Sequence, residues 1–292
     1  MASALTIAQL PAAAFGIEKS VSTSTSGFKA APLNFSPILK TDDSESTELK
    51  NLPLFEGLST DEALRMADSD KAPLPASFTL KDFNKVTPVT DQELFGTCWA
   101  FGAVASAESD LVDLYPDIDL SELHTAYFPY SGSGLLEYSD FYELTNEQDL
   151  LNFGGSNQLA INIWSQWIGP VYEEKLPYYE AQSGNITGAY DITKNYQDFL
   201  MKNAHIINYA DRTDYENRDA VNQIIKDIIH NGNVVNASYA HIDRSSYAVY
   251  NGTDSGIMPN HSVAIIGWDD NYSINAFSNT NVPSRNGAWL VK

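Results

Sequence analysis

Asp91-Gln92-Glu93-Leu94-Phe95-Gly96-Thr97-Cys98-Trp99-Ala100-Phe101 is the stretch from which the fold is read. Cys98 is the single cysteine of the 292-residue chain. A Gly96-Thr97 turn precedes it, and Trp99, Phe101, Val104, Leu111 and Leu114 follow at helical spacing. That spacing predicts a helix over 98–115, ended by Pro116, with the thiol in its first turn. Unpaired N–H groups and the positive dipole end there favour a thiolate. With an imidazolium beside it, such a thiol falls from a pKa of about 8.5 to about 3.5–7.5. Gln92 lies six residues upstream, where its amide can turn back toward the sulfur. Read alone, the cysteine is equally a buried structural residue.

Composition narrows the partners. Hydrophobic residues make up 43% and aromatic residues 12%, which are globular values for a chain long enough to bury a core. The 17 Lys and Arg against 38 Asp and Glu give a net charge of −21. That excess argues against nucleic acid and against charge-driven binding to anionic lipid. One cysteine excludes an internal disulfide framework, no metal-ligand spacing or phosphate-binding glycine loop is present, and no cofactor is expected. No apolar run reaches the length of a membrane span.

Residues 1–16 are apolar with small residues at Ala12-Ala13-Ala14, as in the remnant of a secretory signal lacking its basic start. Residues 17–73 are polar and Ser/Thr-rich and read as a linker or pro-segment. Only Leu52-Pro53-Leu54-Phe55 and a helical patch over 60–67 break that pattern. Residues 74–292 carry the main domain. Its first part, 74–203, reads as helical, with an N-capping Ser121 and a helix over 158–167 after Gly154-Gly155. Its second part, 204–292, reads as a helix over 218–230 among strands at 205–209, 233–239, 246–250, 261–268 and 287–292. The expected class is α+β: two lobes with a cleft between them.

Of the five histidines, His124, His205 and His230 have structural readings, His230 as a helix-end cap, and His241 follows a strand as a weak candidate for the border of the cleft. His261 follows Asn260 and begins His261-Ser262-Val263-Ala264-Ile265-Ile266-Gly267-Trp268, 163 residues after Cys98. A spacing of roughly 130–150 is usual for a papain-type Cys and its His.

Gln-x-x-x-Gly-Thr-Cys-Trp-Ala-Phe and Asn-His-Ser-Val-x-x-x-Gly-Trp together resemble the active-site segments of the papain-like cysteine peptidases. Leu74-Pro75-Ala76-Ser77-Phe78, Leu120-Ser121-Glu122 and Leu176-Pro177-Tyr178 are similar to further segments of that family. The resemblance runs over 74–292 and is nearest to bacterial cell-surface members. One of these, a clostridial surface-layer-processing protease, carries a lectin-like domain after its peptidase. The resemblance implies a papain-like fold with a central Cys-bearing helix and an antiparallel β lobe, incomplete at its C-terminal end here. It implies a secreted or cell-surface endopeptidase acting on polypeptides, with Cys98 as nucleophile, His261 as its acid–base partner and Gln92 in the oxyanion hole. Gly154 and Gly155 would line the cleft and hold substrate backbone. The family's third catalytic residue, an Asn, is expected just after Lys292, with Asn286 as a weak substitute. Glu93 departs from the glycine usual after the Gln, which leaves the turn's shape open. Two other readings remain at this point. A transglutaminase shares the Gly-x-Cys-Trp helix start but needs a nearer His, and only His124 is near. A papain-like scaffold impaired in catalysis would serve as a surface binding module.

Overall fold

The computed structural model describes residues 6–9, 54–55, 73–130, 148–183, 197–202, 204–208, 215–232, 234–239, 248, 250, 260–277 and 283–292. The described strands are β1 (Thr6–Gln9), β2 (Leu54–Phe55), β3 (Ser77–Thr79), β4 (Leu200–Met201), β5 (His205–Asn208), β6 (Val235–Tyr239), β7 (His261–Asp269) and β8 (Ala288–Val291). The described helices are α1 (Cys98–Leu111), α2 (Glu122–Tyr127), α3 (Gln148–Leu151), α4 (Asn157–Ser165), α5 (Tyr179–Ser183) and α6 (Tyr215–His230).

Helix α1 is buried on nearly every side, and its composition explains how. Gly102, Ala103, Ala105, Ser106 and Ala107 carry small side chains, so neighbouring elements approach its backbone closely. Trp99, Ala100, Ala103, Val104, Ala107 and Leu111 enter a helical core with Leu120, Leu123, Phe128, Ile163, Trp164 and Phe199. Ala105 enters a second core with Ile225, Ile228 and Ile229 of α6 and Ala264, Ile265 and Ile266 of β7. One helix therefore stands at the seam of two cores, the two-lobed layout expected from sequence. It ends at Leu111, earlier than the spacing suggested, and residues 112–114 turn away. Leu114 leaves the apolar face as a result and is 62% exposed.

Strand β7 is the hub of the sheet. It pairs antiparallel with β6 (Val235↔Ile265, Tyr239↔His261), β3 (Phe78↔Trp268) and β8 (Trp268↔Trp289). Its Ala264 to Trp268 run is buried, so its sequence is a continuous apolar stretch and not an alternating one. Strand β1 differs in direction: it runs parallel to both β5 and β6. It joins the sheet from far away in the chain, so no hairpin constrains it to run antiparallel. Both β1 and β2 come from the part of the sequence read as leader and pro-segment, and β2 pairs in parallel with β4. The patch at 60–67, the strand expected at 246–250 and His241 lie outside or mostly outside the described residues. Among the described residues no helix is long and apolar enough to cross a membrane.

Candidate active site

Cys98 is the first residue of α1 and is half-buried. The backbone amides of Ser262, Trp99 and Cys98 lie near enough to the sulfur to lower the thiol's pKa. Two of them belong to the helix start expected from sequence. The third comes from β7 and belongs to the residue after His261. Strand and helix, separated by most of the domain in sequence, thus meet at the sulfur. Burial pushes the Cys98 thiol above its ordinary value, and the three N–H groups only partly offset this. The helix start alone therefore does not give the lowered thiol pKa anticipated from sequence, because desolvation of the anion outweighs it.

The loop ahead of Cys98 is tightly fastened. Gln92 Nε2 donates to the Phe95 carbonyl at 2.7 Å, and the Gln92 carbonyl accepts the Phe95 N–H at 3.4 Å. Glu93 takes the left-handed backbone at φ 56°, the conformation glycine adopts freely, and its N–H donates to Asp91 Oδ1 at 2.8 Å. The Glu for Gly exchange therefore keeps a glycine-like turn. Gly96 N–H donates to the Leu151 carbonyl at 3.0 Å. Thr90 Oγ1 donates to Glu122 Oε1 at 2.8 Å.

Gly154 and Gly155 lie against this loop and the nucleophile helix. A Cβ on Gly96 would stand 3.1 Å from the Gly154 nitrogen, and one on Gly155 would stand 2.3 Å from the Trp99 indole. Gly155 thus lies close over Trp99, which is 2% exposed. Tyr130 Oη donates to the Gly154 carbonyl at 2.7 Å. Asn157, which opens α4, reaches across to β7: its Oδ1 accepts from Ser262 Oγ at 3.4 Å.

The other described histidine side chains stay away from this chemistry. His124 is fully buried, with its ring 4.3 Å from that of Phe128. His230 is exposed and tilts against Phe78, ring centres 4.9 Å apart. Asn286, the weak substitute for an imidazole-orienting Asn, is exposed, and its Oδ1 accepts the Ile274 N–H at 3.2 Å. Antiparallel register puts it beyond Asp269, at the opposite end of β7 from His261.

Sequence reasoning passed over several residues. Tyr178 was noted only as part of a similar segment. Ser262 stands in the histidine motif without a role of its own, and nothing in the sequence marks Asn157. Nothing in the sequence gives Thr87, Glu108 or Lys292 a role in the site. Lys292 Nζ donates to Thr87 Oγ1 at 2.8 Å and lies 3.9 Å from Glu108 Oε2, joining the end of β8 to α1. Burial raises the Glu108 carboxyl, opposed first by the Lys292 ammonium. Burial and the neighbouring Glu108 charge push Glu122 up to about 8. A buried charge in an otherwise unremarkable sequence position is the only local signal, and burial is not visible in a sequence of this kind.

The papain family cysteine protease sequence pattern matches residues 74–125. The viral cathepsin of Orgyia pseudotsugata multicapsid polyhedrosis virus is 28% identical over 227 residues, covering 63% of this chain and 69% of that protein. The viral cathepsin of Heliothis zea nuclear polyhedrosis virus is 46% identical over 50 residues, which is 17% of this chain and 14% of that protein. Among solved structures, the cysteine protease and lectin-like domains of Cwp84, a surface layer associated protein of Clostridium difficile, match with a TM-score of 0.55. Identity there is 26%, covering 76% of this chain and 45% of that one. Clostridial Cwp84 after propeptide cleavage matches with a TM-score of 0.53 at 28% identity, covering 74% of this chain and 49% of that one. The chain spans about half the length of these clostridial structures.

Proposed function

From a chain with a papain-like α+β fold and a sequence similar to cysteine peptidases of the papain family, we propose a secreted or cell-surface cysteine endopeptidase. The observation that carries this reading is the packing of β7 on α1, which shares a core through Ala105 and brings the Ser262 amide, next to His261, near the Cys98 sulfur. Cys98 attacks the scissile carbonyl as a thiolate, and His261 holds the ion pair and then protonates the leaving amine. Gln92 Nε2, which keeps a second N–H beyond the one given to Phe95, and the Cys98 backbone N–H stabilise the oxyanion. Gly154 and Gly155 hold the substrate as an extended strand. The surface-layer association of the clostridial relative supports an extracellular setting with polypeptide substrates. Its lectin-like domain supports a similar neighbour in the full-length protein. The pairing of β2 with β4, which sets Leu54 and Phe55 against the helical lobe, supports the pro-segment reading of 17–73.

An epoxysuccinyl cysteine-peptidase inhibitor added to the processed full-length protein tests the reading. Stoichiometric labelling at Cys98, lost in Cys98→Ala, is the expected result. No labelling and no peptide hydrolysis would leave the binding-module reading in its place.

A further inference from the structure

We propose that Tyr178 is a positioning residue that holds the two oxyanion donors in register. This rests on the reading of Gln92 and the Cys98 N–H given above. Tyr178 Oη donates to the Gln92 carbonyl at 2.9 Å. It also lies 2.6 Å from Thr97 Oγ1. Tyrosine has one hydroxyl proton, so with that proton on Gln92 the Thr97 hydroxyl is the donor in the second bond. One phenol oxygen therefore bridges residue 92, which carries the amide donor, and residue 97, whose peptide bond supplies the Cys98 N–H. The bridge spans the base of the loop, while the Gln92 amide closes its inside through Phe95.

The phenol is itself fixed. Its ring meets the edge of Phe101 on α1 at 4.8 Å between centres and 84° between planes. Its backbone N–H donates to Glu173 Oε1 at 2.5 Å, and the residue is 8% exposed. A side chain anchored at ring, backbone and hydroxyl offers its oxygen at a fixed point. Oxyanion stabilisation depends on donors fixed in advance of the charge they meet. Tyr178 touches neither substrate nor sulfur in this scheme and acts only through the loop.

Tyr178→Phe and Thr97→Val in the processed full-length protein test the clamp, with Gln92→Ala for comparison. Three readouts are compared: the turnover of a peptide amide, the affinity for a peptide aldehyde, and the rate of alkylation of Cys98 by iodoacetamide. The aldehyde adduct places a tetrahedral oxygen at the oxyanion donors, whereas alkylation places none there. For Tyr178→Phe the expected kcat loss is about 10–100-fold, below that for removing a donor outright, with KM and alkylation within about twofold. Aldehyde affinity falls by the same factor as kcat, and Thr97→Val follows in the same direction. Unchanged kcat and aldehyde affinity in Tyr178→Phe would overturn the clamp. So would turnover, alkylation and thermal stability falling together, since that pattern is loss of structure. A wild-type protein that is neither alkylated selectively nor active defeats the reading of the site itself, and the clamp with it. An active wild type with an equally active Tyr178→Phe defeats the clamp alone.

Discussion

At Cys98 two local influences oppose each other. Burial raises the thiol, and backbone N–H groups from the helix start and from Ser262 lower it. With burial the larger, the reactive thiolate needs a cation beside it, and His261 is the proposed source. Replacing that imidazole should push the pH profile of iodoacetamide alkylation strongly alkaline. Wild-type protein should react through the neutral range, and His261→Ala only near or above about pH 9, where an unassisted thiol ionises. Superimposable profiles would remove His261 from the mechanism. Glu93 offers a second residue-scale test. Its left-handed backbone costs a non-glycine residue about 1–2 kcal/mol. Glycine returns about 0.5–1 kcal/mol of that as extra freedom in the unfolded chain. Glu93→Gly is therefore expected to raise the denaturant midpoint modestly, and a lowered midpoint would show the turn to be unstrained.

Helix α2 displays how an element can be legible in sequence and still depend on its surroundings. Ser121 was identifiable as its N-cap, and its Oγ accepts the His124 N–H at 3.0 Å. The same oxygen also donates to the Leu176 carbonyl at 2.6 Å, a bond the sequence does not announce. Ser121→Ala removes both the cap and the partner of a buried carbonyl. The expected loss is about 2 kcal/mol in equilibrium unfolding, at the upper end for a cap alone. Glu122, the first helical residue, is buried with its pKa up at about 8. Its folded pKa lies above its ordinary 4.5, so its contribution is fully present below about pH 4.5. That contribution is lost as pH rises through about 8. Glu122→Gln keeps a neutral acceptor for Thr90 and removes this titration. Relative to wild type it should gain on the order of 2–4 kcal/mol near pH 9, with little change near pH 4.5. Parallel stability curves for the two proteins would place the titration elsewhere.

For the molecule as a whole, the join between lobes is the decisive feature. Lys292 at the end of β8 reaches Thr87 and Glu108 in the helical lobe, with its ammonium almost wholly buried. Lys292→Met strands the Glu108 carboxylate without its cation, a loss of roughly 3–5 kcal/mol typical of a broken buried pair. Adding Glu108→Gln should recover much of it, because the remaining groups are neutral. A double-mutant cycle on unfolding free energies measures the coupling, and strictly additive losses would show that the two groups do not share a junction. Burial is mutual across this seam: α1 contributes Ala105 to one core and Trp99, Val104 and Leu111 to the other. The placement of Cys98 and the stability of both lobes are therefore linked through the same helix.

The residues from 91 to 101 and from 260 to 268 determined by themselves the helix start under the thiol and the strand beginning at the histidine, on which the proposed chemistry rests. Those properties are written in neighbouring residues: a turn, an apolar period, a cap. The α+β layout was also legible, since helical and strand patterns occupy different parts of the chain. Only the tertiary structure decided that Ser262 faces the sulfur, that desolvation prevails at the thiol, that Tyr178 fastens residues 92 and 97, and that Lys292 is buried beside Glu108. Each of these depends on the packing of segments far apart in the chain. Burial and hydrogen-bond partnership are properties of a place in space, and local sequence pattern carries no record of which distant segment will occupy it.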